Sequence, residues 1–108
     1  MRRFEFDIST PLSHPAIAGH FPGNPIVPGV LLLDQMLATL QQLSGLEVVR
    51  LAHVKFSSAL RPDEVAQVVC EIDGDNAKFQ IALQRQDACR VVASGKISMR
   101  QQSYETLD

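Results

Sequence analysis

Alternating apolar and polar side chains predict a β-strand near the start of the chain and a longer one after residue 46. Phe4, Phe6 and Ile8 are separated by charged residues, which is the pattern of a strand with one buried face. The second strand is predicted over residues 48–60 and is closed by a turn at 61–64, where Pro and Asp favour chain reversal.

Three more strands are predicted after that turn, separated from one another by turns at 73–76 and 87–88. Because they are consecutive and joined by short turns, they should form an antiparallel meander with one dry and one wet face. In the last of them, the residues predicted to face the core are Val91, Ala93, Gly95, Ile97 and Met99.

Between the first two strands, the pattern changes to that of a helix over residues 29–44. Pro28 precedes it and Gly45 follows it, and these residue types favour a helix start and a helix end, respectively. The helix is apolar around most of its circumference, as expected of a helix wrapped by a sheet. Its polar stripe is predicted at Gln35, Thr39 and Gln42.

Asp34 is the acidic residue of this helix and a candidate catalytic residue. It is predicted to lie among Val30, Leu37 and Ala38, in apolar surroundings where a carboxylate is costly unless it is paired or neutral. Such surroundings would favour the protonated form that a general acid needs.

The segment that leads into the helix is rich in proline and glycine and contains His20. Pro22, Pro25 and Pro28 fix the backbone, so the segment should hold one shape and aim the imidazole. Since histidine titrates near neutral pH, His20 is a candidate general base.

Residues 19–34, Gly-His-Phe-x-Gly-x-Pro-x-x-Pro-Gly-x-x-x-x-Asp, resemble the active-site signature of the β-hydroxyacyl-(acyl carrier protein) dehydratases of bacterial fatty-acid synthesis, the FabA/FabZ-like family. The resemblance implies an α+β hot-dog fold, an antiparallel sheet wrapped around one long helix. We expect a single domain over residues 1–108, with a polar tail at 101–108, that forms a homodimer with a joined sheet.

The resemblance also assigns roles to individual residues. His20 and Asp34 would be the catalytic pair, contributed to each site by opposite subunits. The N–H of Gly29 or Val30 would polarise the thioester carbonyl, and the carbonyl of Ile26 would hold the histidine ring. Phe21 completes the expected substrate-binding set.

The implied substrate is a 3-hydroxyacyl chain on the phosphopantetheine of an acyl carrier protein, and the product is its trans-2-enoyl thioester. No cofactor and no metal are expected.

The short chain favours a specialised pathway such as aryl-polyene assembly. An aspartate at the acid position also occurs in the subgroup that isomerises the double bond, but it does not establish isomerase activity. Two alternatives stay open: an acyl thioesterase of the same fold, and a catalytically silent subunit that partners an active dehydratase.

Composition narrows the remaining possibilities. The chain has 108 residues and a formal net charge of −2, so it offers no case for nucleic-acid binding. It has no apolar run long enough for membrane insertion, no signal peptide is expected, and two cysteines do not form a disulfide framework, so a cytoplasmic location is expected.

His53 is predicted to be structural. The candidate contacts for an acidic carrier are Arg2, Arg3, Arg61, Lys96 and Arg100.

Overall fold

The computed structural model describes residues 1–15, 17, 26–85 and 88–101. The elements, in chain order, are β1 (Arg2–Ile8), α1 (Gly29–Ser44), β2 (Leu46–Phe56), β3 (Ala66–Asp73), β4 (Asn76–Arg85) and β5 (Ala88–Gln101). The strands form a five-stranded sheet in the order β1-β3-β4-β5-β2, and each neighbouring pair is antiparallel. This arrangement agrees with the predicted α+β class and with the predicted meander of the last three strands.

The core lies between α1 and the inner face of the sheet. Leu32, Met36 and Leu40 recur every four residues along α1 and are almost completely buried. The sheet covers them with alternate residues of its central strands, namely Val68, Cys70, Ile72, Phe79, Ile81, Leu83, Ile97 and Met99. As predicted, the helix begins at Gly29 and ends at Ser44, and Gly45 closes it in the left-handed region with a φ of 73°.

Two predictions about the strands are wrong in detail. β2 spans 46–56 rather than 48–60, because the chain turns away after Phe56: the backbone N–H groups of Ser57 and Ser58 both point to the carbonyl of Val92. In β5, Val92 is buried beside Ala93 in place of Val91, because the β4–β5 register shifts there and two consecutive residues face the core.

The predicted turn at 87–88 is also wrong at Ala88. Ala88 already pairs with Arg85 in the sheet, and position 87 lies outside the described residues. The predicted tail is one residue shorter at its start, because Gln101 pairs with Leu46, and the residues after it are likewise outside the described part.

Candidate functional site

A cleft of about 520 Å³ opens where α1 begins and β2 ends. It is mostly apolar, and its walls come from three parts of the chain that are far apart in sequence. The loop before α1 and its first turn form one side, the segment after β2 forms the other, and β5 contributes to the lining. The lining residues are Ile26, Val27, Gly29, Val30, Leu32, Phe56, Ser57, Ser58, Ala59, Leu60 and Val92.

Backbone hydrogen bonds hold the cleft walls together. The N–H of Val27 donates to the carbonyl of Leu60 at 2.8 Å, which fixes the loop before α1 to the segment after β2. The hydroxyl of Ser58 donates to the carbonyl of Val91 at 2.7 Å and anchors the same segment to β5. The cleft therefore has walls set by main-chain contacts.

Phe56 packs over the first residue of α1. A Cβ atom placed on Gly29 would lie 2.8 Å from two carbon atoms of the Phe56 ring, so alanine at position 29 would require the ring to move. Phe56 as a whole residue nevertheless keeps 51% of its surface exposed. Phe56 thus touches the helix start on one side and the cleft on the other.

The start of α1 supplies hydrogen-bond donors to this cleft. The first intrahelical bond runs from the N–H of Leu32 to the carbonyl of Pro28, at 3.1 Å. The N–H groups of Gly29 and Val30 come before it and have no acceptor within the helix. Because the helix dipole is positive at this end, a developing negative charge would be stabilised there.

Asp34 lies one turn further along α1, and its surroundings differ from those predicted. It is exposed, as is Ala38, and Val30 keeps 74% of its surface accessible. The prediction that Asp34 points into apolar surroundings is therefore wrong for the single chain, because the buried stripe of α1 runs along the other side of the helix, through Met36.

The polar stripe predicted on α1 also requires correction. Gln35 and Thr39 are half-buried rather than exposed, and the Oε1 atom of Gln35 accepts a hydrogen bond of 2.9 Å from the hydroxyl of the buried Thr10. What α1 leaves open instead is a helix stripe that we define as Val30, Asp34, Ala38 and Gln42.

The structure thus brings together three of the six residues predicted for the site. Ile26, Gly29 and Val30 line one cleft, and Asp34 follows Val30 on the helix stripe. The predicted catalytic His20 and the predicted substrate-binding Phe21 lie outside the described residues.

Sequence reasoning missed Phe56, Ser57 and Val92, which also line the cleft. The strand predicted over 48–60 included the first two as ordinary strand residues. Val92 faces inward through a register shift that the alternation does not reveal.

Neither a metal centre nor a membrane-spanning helix is found among the described residues. Within 1–15, 17, 26–85 and 88–101, His, Cys, Asp and Glu do not gather in a group of three that could hold a metal ion. In the same part of the chain, the one helix is too short to cross a bilayer.

Comparison with protein families gives a match over most of the chain. Residues 1–96 match the family model described as "ApeI-like: ApeI dehydratase". A 3-hydroxyacyl-[acyl-carrier-protein] dehydratase FabZ of Aliarcobacter butzleri is 40% identical over 70 residues, which cover 64% of this chain and 41% of that protein. The chain spans less than half of the length of the first curated relatives that it matches.

Solved structures share the fold. The dehydratase heterocomplex ApeI:P from Xenorhabdus doucetiae superposes with a TM-score of 0.73 at 21% identity, covering 94% of this chain and 96% of that one. An acyl-CoA hydrolase from Staphylococcus aureus gives a TM-score of 0.70 at 13% identity, over 95% and 67% of the two chains. These likenesses confirm the predicted hot-dog fold, which dehydratases and thioesterases share.

Proposed function

The chain belongs to the family of ApeI-like dehydratases, and we propose that it removes water from a 3-hydroxyacyl thioester carried on an acyl carrier protein. In this reaction, the C2 proton passes to His20, the bond from C3 to its hydroxyl breaks, and the hydroxyl leaves as water with a proton from Asp34. The electron pair of the C2–H bond becomes the new double bond of the trans-2-enoyl thioester.

The cleft at the start of α1 is the observation that carries this proposal. Its apolar lining suits an acyl chain, and the N–H groups of Gly29 and Val30 suit the thioester oxygen, on which negative charge develops as C2 loses its proton. A bound carbonyl at the helix start would place C2 and C3 near the helix stripe that bears Asp34.

We further propose that each site is completed by a second copy of the chain. Asp34 is exposed in the single chain and is flanked on the helix stripe by Val30, which is 74% exposed. β2 is an edge strand of the sheet, and Val49 on it is 56% exposed. Pairing two β2 edges would cover unpaired backbone groups and enclose the aspartates.

The test is dehydration of a 3-hydroxyacyl-(acyl carrier protein), followed by mass spectrometry of the intact carrier. We expect the wild-type chain to convert the substrate to a species lighter by one water. His20→Ala and Asp34→Asn should each slow this conversion by about 10²–10⁴-fold, the usual contribution of a positioned acid or base. Gln42→Asn, on the same helix stripe, is the matched control and should keep the wild-type rate.

The same spectra separate the two alternatives. Release of the free carrier thiol would identify a thioesterase. If the chain alone converts no 3-hydroxyacyl carrier of any length, but gains activity with an added hot-dog partner, it is a silent subunit. A wild-type rate in either His20→Ala or Asp34→Asn would contradict the proposed chemistry.

A further inference from the structure

The outer face of the sheet carries an uneven distribution of charge. Lys78 on β4 lies directly opposite Lys96 on β5, and both side chains are exposed. On β2, Arg50 pairs with Ser98 and Lys55 pairs with Ser94. Since Ser94 and Ser98 are two residues from Lys96, all four cations share this face. We define the basic strip as Arg50, Lys55, Lys78 and Lys96.

The basic-strip cations differ from other cations of the chain in their ion pairing. Arg3 contacts Glu5 at 2.7 Å and Arg100 contacts Glu47 at 3.0 Å. Within the described residues, no carboxylate lies within 4.0 Å of a basic-strip side chain. Glu71 on β3 lies directly opposite Lys78 and is contacted by Arg3 at 3.4 Å, so positive charge outweighs negative charge along the strip although the whole chain has a net charge of −2.

Lys78 lies between a like charge and an opposite charge on its neighbouring strands. Its pairing with Lys96 across β4 and β5 is repulsive, and its pairing with Glu71 across β3 and β4 is attractive. Lys78 and Lys96 line a groove of about 830 Å³ together with His53, which the sequence predicted to be structural. His53 is exposed and has a φ of 54° where the β2–β5 register shifts, so the bulge turns its imidazole toward the same groove.

We propose that the basic strip is the docking surface for an acidic acyl carrier protein. The inference rests on the proposed function, in which the substrate is bound to an acyl carrier protein. An acidic carrier would be attracted to the positively charged face of the sheet, which is why we assign docking to this face. The strip also reaches the cleft: Lys55 precedes Phe56, and their side chains lie on opposite faces of the same strand end. A carrier seated on the strip would therefore be beside the opening through which its acyl chain must pass.

The basic strip excludes most of the cations that the sequence predicted as contacts for the carrier protein. Arg2 donates to the carbonyl of Ser44 and stacks on Phe4, and it lines a different groove together with Arg100. Arg3 is already engaged by Glu5 and Glu71. Of the predicted docking contacts, Lys96 is the one that belongs to the basic strip.

Direct binding tests the proposal without requiring turnover. A fluorescently labelled holo-acyl carrier protein would be titrated with the unlabelled chain and followed by anisotropy. We expect Lys78→Gln/Lys96→Gln to weaken binding about tenfold or more, and Lys78→Arg/Lys96→Arg to retain it, because the interaction depends on charge. Arg61→Gln/Arg100→Gln removes the same charge elsewhere and should change binding less than about twofold.

Thermal denaturation of each variant completes the experiment. Neutralising Lys78 and Lys96 removes the repulsion between them and also the attraction between Lys78 and Glu71, and these effects are of similar size. The Tm should therefore stay close to the wild-type value, and weakened binding in a variant with that Tm cannot be attributed to unfolding. The proposal is overturned if the carrier does not bind the wild-type chain, if Lys78→Gln/Lys96→Gln binds normally, or if Arg61→Gln/Arg100→Gln weakens binding equally. Strip-dependent binding without dehydration would uphold the docking surface and refute the proposed function alone.

Discussion

Replacing Gly29 by alanine tests the contact that shapes the cleft. The added Cβ would stand 2.8 Å from two ring carbons of Phe56, whereas carbon atoms prefer a separation of about 3.5–4.0 Å. The ring would therefore have to move by about 1 Å to reach that separation. Because Phe56 is half exposed, it can swing outward, at the cost of its packing on the helix start.

Two opposing effects determine how much Gly29→Ala lowers the free energy of unfolding. Inserting a methyl group into a packed contact typically costs ~1–3 kcal/mol, and the mobility of an exposed ring places this case near the lower end. Alanine favours a helix over glycine by up to ~1 kcal/mol, which offsets part of the loss. We therefore expect a destabilisation of about 1 kcal/mol and a fall in Tm of about 4–8 °C.

A double-mutant cycle measured by thermal denaturation isolates the contact. The variants are Gly29→Ala, Phe56→Ala and the double substitution. In the absence of the Phe56 ring, alanine at position 29 has space and should be neutral or slightly stabilising. The coupling energy between the two sites should thus be about 1 kcal/mol or more, within the range seen for residues in contact.

Catalysis provides a second reading of the same cycle. The Phe56 ring that moves is part of the cleft wall, so kcat should fall in Gly29→Ala, whereas alanine at position 29 should have no further effect on kcat once Phe56 is alanine. Additive effects on both Tm and kcat would show that the ring does not restrict position 29. The reasoning about the cleft would then be refuted.

Three further predictions concern the core. Gly95→Ala should cost more than Gly29→Ala, about 2–3 kcal/mol by chemical denaturation, because its Cβ would meet the ring of buried Phe79 at 2.8 Å. Thr10→Val should cost about 1 kcal/mol, also by chemical denaturation, because Gln35 loses its donor. Burial raises the pKa of Cys70 from 9.0 to about 11, so the Cys70 thiol loses its proton at a lower pH in the unfolded chain than in the folded chain. The free energy of unfolding should fall as the pH rises from 9 to 11, and Cys70→Ala should flatten that decline.

Local patterns were sufficient to predict the elements of the fold. The bounds of α1 followed from Pro28, Gly29 and Gly45, which act on their immediate neighbours. The dry face predicted for the meander is found in β3 and β4, where alternate residues are buried. These features depend on backbone preferences and on burial of one face, and both are recorded in consecutive residues.

The predictions that were wrong concern features that depend on contacts between distant segments. The register shift that buries Val92 is set by the pairing of β4 with β5. The orientation of α1 was predicted from its composition. In the structure, Gln35 is half-buried and accepts a hydrogen bond from Thr10, and Asp34 is exposed. A helix with apolar residues on most sides offers several faces for burial, so its sequence cannot select one.

The shared active site can be tested most directly by mixing two inactive variants. His20→Ala and Asp34→Asn chains would be unfolded, mixed in equal amounts, refolded and assayed with a 3-hydroxyacyl-(acyl carrier protein). If His20 of one chain works with Asp34 of the other, a mixed dimer contains one intact site, and the mixture should recover about a quarter of the wild-type rate in a symmetric dimer. If native mass spectrometry finds mixed dimers and the mixture stays inactive, the proposed two-chain site is contradicted.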